Sequence, residues 1–150
     1  MTDLVRPTPS PDAVEMALAH LQPRSAGLIV REAFYGTTRF DDFLARTKVT
    51  RSVLAAQLER LTHDQVLQRV AYREEGQRTR NEYQLTARGR ELGTALIALI
   101  DWSSTWAPPP DDTVLPQHRG CGAVAHAAIY CDAGHHDISI HDITPATPDA

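Results

Sequence analysis

No apolar run in these 150 residues approaches the roughly 20 needed to span a bilayer. The opening MTDLVRPTPSPD also lacks the charged-then-apolar order of a secretory leader, so a cytoplasmic protein is expected. Cysteine is scarce: Cys121 and Cys131 could pair, but in a reducing cytosol they are expected as free thiols or metal ligands. No segment repeats. Positive charge is in deficit overall, with a net charge of −4, and that total speaks against a nucleic-acid partner.

The distribution of charge reverses that reading. Residues 1–23 sum to −2, residues 24–90 to +5 and residues 91–150 to −7. A basic centre beside an acidic tail is a local footprint for phosphate that the whole-chain balance hides. The length suits one domain with a small appendage.

The first ten residues, rich in Pro, Thr and Ser, are expected to be disordered. Ser10, Pro11 and Asp12 then supply an N-cap, a first-turn proline and a first-turn acid for a helix that Gln22-Pro23 breaks. A second helix from Arg24 to Tyr35 places Leu28, Ile29, Ala33 and Phe34 as apolar positions and ends at Gly36. Thr38 is read as the cap of a short third helix carrying Phe40, Phe43 and Leu44. After Thr47-Lys48-Val49, Thr50 caps a fourth helix in which Leu54, Leu58 and Leu61 form one stripe and the opposite side stays nearly free of bulk.

LQRVAYR (67–73) and NEYQLT (81–86), joined by EEGQRTR, read as a half-buried hairpin with Val70, Tyr72, Tyr83 and Leu85 facing inward. Thr86 caps a long fifth helix whose stripe of Leu92, Leu96, Leu99 and Trp106 is broader than a small wing can cover. The proline run after Ala107 ends it. Beyond, GAVAHAAIYC and HDISIHDIT read as two short strands. The fold class is α+β and mainly helical: a winged helix-turn-helix with a long C-terminal dimerisation helix and a small β-hairpin-like extension. The segments are a disordered 1–10, a DNA-binding and dimerisation domain over 11–106, and a linker and Cys/His tail over 107–150.

L28-IVREAFYGTTRFDDFL-44, V53-LAAQLERL-61, the wing, E82-YQLTARGREL-92, D101-W and Trp106 stand in an order that resembles the HxlR-type winged helix-turn-helix transcriptional regulators, relatives of the MarR group. The resemblance covers about residues 12–106 and implies a homodimer formed through the first and last helices. It also implies a fourth helix in the major groove and a wing along the neighbouring backbone. The chain departs from the family pattern at four places. Asp12 stands where many members carry a cysteine, which removes first-helix redox sensing. Ser25 replaces a common tryptophan, Gln57 a common arginine, and Gln65 the glycine that usually turns the chain into the wing.

On this reading double-stranded DNA is the partner. Base contacts in such helices come from the N-terminal end, which selects Arg51, Ser52, Ala55 and Ala56, with Thr50 as cap and Arg60 on the far side. Arg51 is assigned equally to a base or a phosphate. Arg78 and Arg80 around Gly76, then Arg39, are the phosphate or minor-groove candidates. Val14, Leu18, Leu92, Leu96, Leu99, Trp102 and Trp106 are assigned to a dimer interface or to a groove between the first, second and fifth helices that would hold a small-molecule effector.

The tail gathers both cysteines and five of the seven histidines. His118, Cys121, Cys131 and His135 (or His136) have the donor types of a tetrahedral zinc site. A C-x9-C spacing is not a knuckle, however, and no cofactor is expected. With only Arg119 near them in sequence, the two thiols are expected to be of ordinary reactivity. Two other function classes are consistent with this chain: a winged-helix module that binds protein, and a metal-dependent enzyme built on the tail.

Overall fold

A computed structural model describes residues 12–144 except 74, 77, 78, 109 and 112. The expected disordered N-terminus, Ser10, Pro11 and Arg78 therefore lie outside the described residues. Five helices and one hairpin follow in the order α1 (Ala13–Leu21), α2 (Arg24–Phe34), α3 (Phe40–Thr47), α4 (Arg51–His63), β1 (Leu67–Tyr72), β2 (Arg80–Leu85) and α5 (Ala87–Trp106). A single 3-10 turn spans Ile140–Asp142. The chain divides into two compact units between Leu92 and Gly93, inside α5.

In the first unit the cap of α1 is Asp12, whose carboxylate accepts from the Glu15 N–H at 2.8 Å. Asp12, read from the sequence as a first-turn acid, stands one position before the helix. Gly36, at a φ of 94°, ends α2 in the left-handed region where glycine avoids a Cβ penalty. Thr38 does not cap α3. Arg39 occupies the N-cap without a side-chain capping bond, while the Thr38 carbonyl accepts from the Tyr83 N–H at 2.7 Å and the Arg39 backbone bridges to Glu82. The sheet edge has claimed this backbone, so the threonine is a strand neighbour instead of a cap. Thr50 caps α4 as expected, accepting from the Val53 N–H.

The core of this unit lies where α2 packs on α3 and α4. Ala26, Ile29 and Val30 of α2, Phe43 of α3, and Leu54, Leu58 and Leu61 of α4 are fully buried with Val66. Each large side chain contributes about 1.5–3 kcal/mol of burial. The buried row of α2 runs through Ala26, Ile29, Val30 and Ala33, an i, i+3, i+4, i+7 stripe, leaving Leu28 and Phe34 half-buried. Glu32 is buried too, neutralised by Arg31 at 2.6 Å.

The hairpin differs from the one-sided reading. Its register sets Leu67 against Leu85 and Arg69 against Tyr83, but Val70 against Glu82 and Tyr72 against Arg80. Directly opposed residues share a face, so Val70 and Tyr72 lie on one side and Tyr83 and Leu85 on the other. Period-two alternation within each strand was legible; the register that relates the two strands was not.

Thr86 caps α5 as expected, accepting from the Gly89 N–H at 3.0 Å and donating to the Gln65 carbonyl at 2.5 Å. Gly89 is buried against the Val66 carbonyl, leaving no room for a side chain.

In the second unit Leu96 is buried, whereas Leu99, Trp102 and Trp106 are 54%, 67% and 77% exposed. The tail replaces its two expected strands with turns. One isolated bridge joins Gln117 to Val124, and Ile138 donates to Ile129 at 3.1 Å. Asp101 of α5 holds this tail: its carboxylate accepts from the Ala127 N–H at 2.8 Å and meets His126 Nδ1 at 2.8 Å. Those contacts, the backbone N–H first, hold the Asp101 carboxyl below its ordinary pKa.

Candidate nucleic-acid interface

The α4 side opposite the buried leucines is open. Arg51, Ser52, Ala55 and Ala56 are all exposed near its N-terminal end, with Glu59 beyond them. Thr50 sits at the same end, but its hydroxyl is committed to the cap and lies 3.2 Å from Ser52 Oγ. The result is a helix face with one arginine, small polar groups and two methyls, able to enter a major groove without steric bulk.

Rings align the flanking cations. Arg51 lies 5.1 Å from the centre of the Phe40 ring and bonds Asp41 at 3.2 Å. Arg39 lies 5.0 Å from the Tyr72 ring, and Arg80 pairs with Tyr72 in the register. Arg39, Phe40, Tyr72, Arg80 and Asn81 line a cleft of about 460 Å³ between the wing root and the start of α3. Asp41 and Asp42 also border this cleft, so its field is mixed and the arginine heads must point past the acids to reach phosphate. The Arg51–Asp41 pair is exposed on both sides, and such pairs hold weakly enough to be exchanged for a phosphate. Arg39, Arg51 and Arg80 are thus brought together around α3. Phe40 and Tyr72, read from the sequence only as apolar positions of the third helix and the hairpin, are the platforms of Arg51 and Arg39; a stacking partner becomes visible only once the elements are packed.

Arg60 is a correction. Its guanidinium donates to the carbonyls of Ala19 (3.1 Å) and Gln22 (2.8 Å), to Asp64 (3.2 Å) and to Gln57 (3.1 Å). It ties the C-terminal ends of α1 and α4 together and has little left to offer DNA.

The residues assigned to a dimer or effector groove belong to both units, Val14, Leu18 and Leu92 to the first and Leu96, Leu99, Trp102 and Trp106 to the second. Val14 and Leu18 are exposed on α1, which buries no residue at all. Leu92 lines a cavity of about 480 Å³ with Met16, His20, Val66, Arg88 and Glu91. Neither α2 nor either tryptophan lines it, contrary to the expected position. Arg88 bonds His20 Nε2 at 3.0 Å there, and His20 Nδ1 faces Asp64 at 3.4 Å.

The four tail residues considered for zinc form two separate pairs, His118 with Cys121 and Cys131 with His135. No cluster of three or more His, Cys, Asp or Glu side chains able to hold a metal is formed among the described residues. The four candidate donors thus stand as two Cys–His pairs.

The HxlR-like helix-turn-helix profile matches residues 21–111, from the end of α1 through the whole of α5. The chain belongs to the HxlR-like helix-turn-helix family. It is 30% identical over 135 residues to an uncharacterized HTH-type transcriptional regulator of Mycobacterium tuberculosis, covering 89% of this chain and 84% of that one. The crystal structure of PA1607, described as a candidate transcription factor, superposes with a TM-score of 0.74 at 29% identity, covering 92% of this chain and 95% of that one. The redox regulator HypR in its reduced form gives a TM-score of 0.56 at 25% identity, covering 63% of this chain and 92% of that one.

This HxlR-like protein is therefore a DNA-binding transcriptional regulator, not an enzyme. The likeness to PA1607 must extend well into the tail, whereas the shorter HypR is matched over a region about two-thirds the size of this chain. No helix among the described residues is long and apolar enough to cross a membrane.

Proposed function

We propose that this regulator works in the cytoplasm as a homodimer that recognises a specific operator, with two copies of α4 entering major grooves about one helical turn apart. The observation that carries the reading is the exposed N-terminal face of α4, where Arg51, Ser52, Ala55 and Ala56 stand clear of a core built from Leu54, Leu58 and Leu61. Arg39 and Arg80 fix the register on flanking phosphates, and Arg51 reads a base or the adjoining phosphate. Arg78 completes the wing contact.

Dimerisation uses the apolar residues left uncovered on α1 and on α5, Val14, Leu18, Leu99, Trp102 and Trp106 among them. The cavity between α1 and the first turns of α5 suits a small-molecule effector, with Met16 and Leu92 for its apolar body and Arg88 for an acidic group. A ligand bound more tightly in one dimer state than the other would shift operator affinity by that difference. Selection of binding sites from random DNA by the purified protein, followed by footprinting, tests the reading. A paired half-site motif is the expected result; recovery of unrelated sequences overturns it. Light scattering should give twice the chain mass of 16.6 kDa.

A further inference from the structure

Arg51, the first residue of α4, is held in two ways by α3. Its Nη2 donates to Asp41 Oδ1 at 3.2 Å, and its guanidinium lies over the Phe40 ring, 5.1 Å from the centre. Both partners are consecutive residues in the first turn of α3, so that turn fixes a face and an edge of the group together. The side chain thereby gives up rotamer freedom that an exposed arginine ordinarily keeps. The ion pair is exposed on both sides and adds little to stability. A carboxylate beside the surface that meets DNA also opposes phosphate. Asp41 thus neither secures the fold nor attracts DNA in general. Acids in a first turn do favour the positive end of their own helix. Asp42, however, serves that end from the next position and lines the same cleft, with no bond to Arg51.

We propose that Asp41 is a positioning residue for base recognition, and that the base Arg51 reads is a guanine. This rests on the reading of α4 as the major-groove helix. With one N–H given to Asp41, the guanidinium still offers a pair of donors and no acceptor. In the major groove guanine alone presents two adjacent acceptors, O6 and N7. Adenine sets an amino donor beside its N7, cytosine offers an amino donor, and thymine a single oxygen. Docking on guanine keeps the bond to Asp41. Exchange for a phosphate breaks that bond and leaves an unpaired carboxylate against the charge of the DNA backbone. Asp41 therefore disfavours the phosphate contact and pre-organises the base contact, and both effects separate the operator from other DNA.

The test uses the full chain and duplexes selected by the wild type from random DNA. The position read by Arg51 is the one at which Arg51→Ala loses its preference, and it should be a guanine. Replacing that guanine by 7-deazaguanine, which lacks N7, should weaken the wild type and leave Arg51→Ala unchanged. Asp41→Ala should lower the preference for guanine there by about three- to tenfold, the effect of freeing one long side chain. It should bind random DNA at least as tightly as the wild type. Asp42→Ala should do the same on random DNA and keep the full preference. Both variants remove one acid from the same helical turn, so a difference between them is not a loss of α3. A preference unchanged in Asp41→Ala, or lowered alike in both variants, overturns the proposal. So does a paired half-site motif in which Arg51→Ala affects no position, or a base other than guanine, which leaves the operator reading standing. Recovery of unrelated sequences removes that reading and this proposal with it.

Discussion

Arg60 of α4 donates to the carbonyl of Gln22, just past the end of α1, at 2.8 Å, joining residues 38 positions apart. With Ala19 and Asp64 on its other nitrogen, this arginine serves the fold. Arg60→Ala should lower stability by about 2 kcal/mol, since hydrogen bonds from charged groups are worth more than neutral ones. Denaturant unfolding measures this. Affinity for specific and random DNA should change little while the protein stays folded; a selective loss on specific DNA would return Arg60 to the interface.

Gln65 carries a φ of 58°, a left-handed backbone in a residue with a side chain, where the family usually has glycine. Its N–H donates to the Thr62 carbonyl, and its own carbonyl accepts from Thr86, so the turn is held from both sides. Gln65→Gly should therefore stabilise the protein by roughly 0.5–1 kcal/mol. A rise in Tm by scanning calorimetry is the expected result, and a fall would mean that the side chain contributes more than its strain costs.

Gly89 presses on the Val66 carbonyl so closely that a methyl would overlap it. Overpacking of this kind costs about 1–3 kcal/mol, and the obstacle here is backbone, which cannot swing aside. Gly89→Ala should lower Tm markedly although alanine is the better helix former; an unchanged Tm would contradict the close approach.

Asp101 has its pKa lowered, first by the Ala127 N–H and then by His126. A carboxylate whose folded pKa lies below its unfolded value adds stability above the unfolded value, about 3.9, and loses it as pH falls through the folded one. The hold of α5 on the tail should thus persist through mildly acid solution and release only below the ordinary carboxylate range. The Ala127 amide shift, followed by NMR against pH, should show a midpoint below 3.9; a midpoint at or above it would contradict the bond.

The helices were legible because their signals are local. The stripe of Leu54, Leu58 and Leu61 and the Thr50 cap of α4 each depend on neighbours within one or two turns. Thr38 failed as a cap because a strand more than forty residues away took its backbone, a fact no local pattern holds. The same limit hid the Arg39–Tyr72 stack and Arg60's tie to α1, both long-range consequences of how elements meet. The tail misled for a different reason. Alternating apolar and polar residues favour strands, but Gly120, Gly122 and Gly134 sit where turns form, and the Cys–His pairs appear only when those turns close.

The central claim is that the open face of α4 reads sequence while the arginines at the wing root fix position. Equilibrium binding of Arg51→Ala and Arg80→Ala to the selected operator and to random DNA, across a salt series, tests it most directly. Arg80→Ala should weaken both DNAs alike and shallow the salt dependence by about one unit per lost phosphate contact. If Arg51 reads a base, Arg51→Ala should cost about 1–3 kcal/mol on the operator and less on random DNA; equal losses on the two would make it a phosphate contact. Full operator preference retained after replacing Arg51, Ser52, Ala55 and Ala56 together, in a folded protein, would contradict the account.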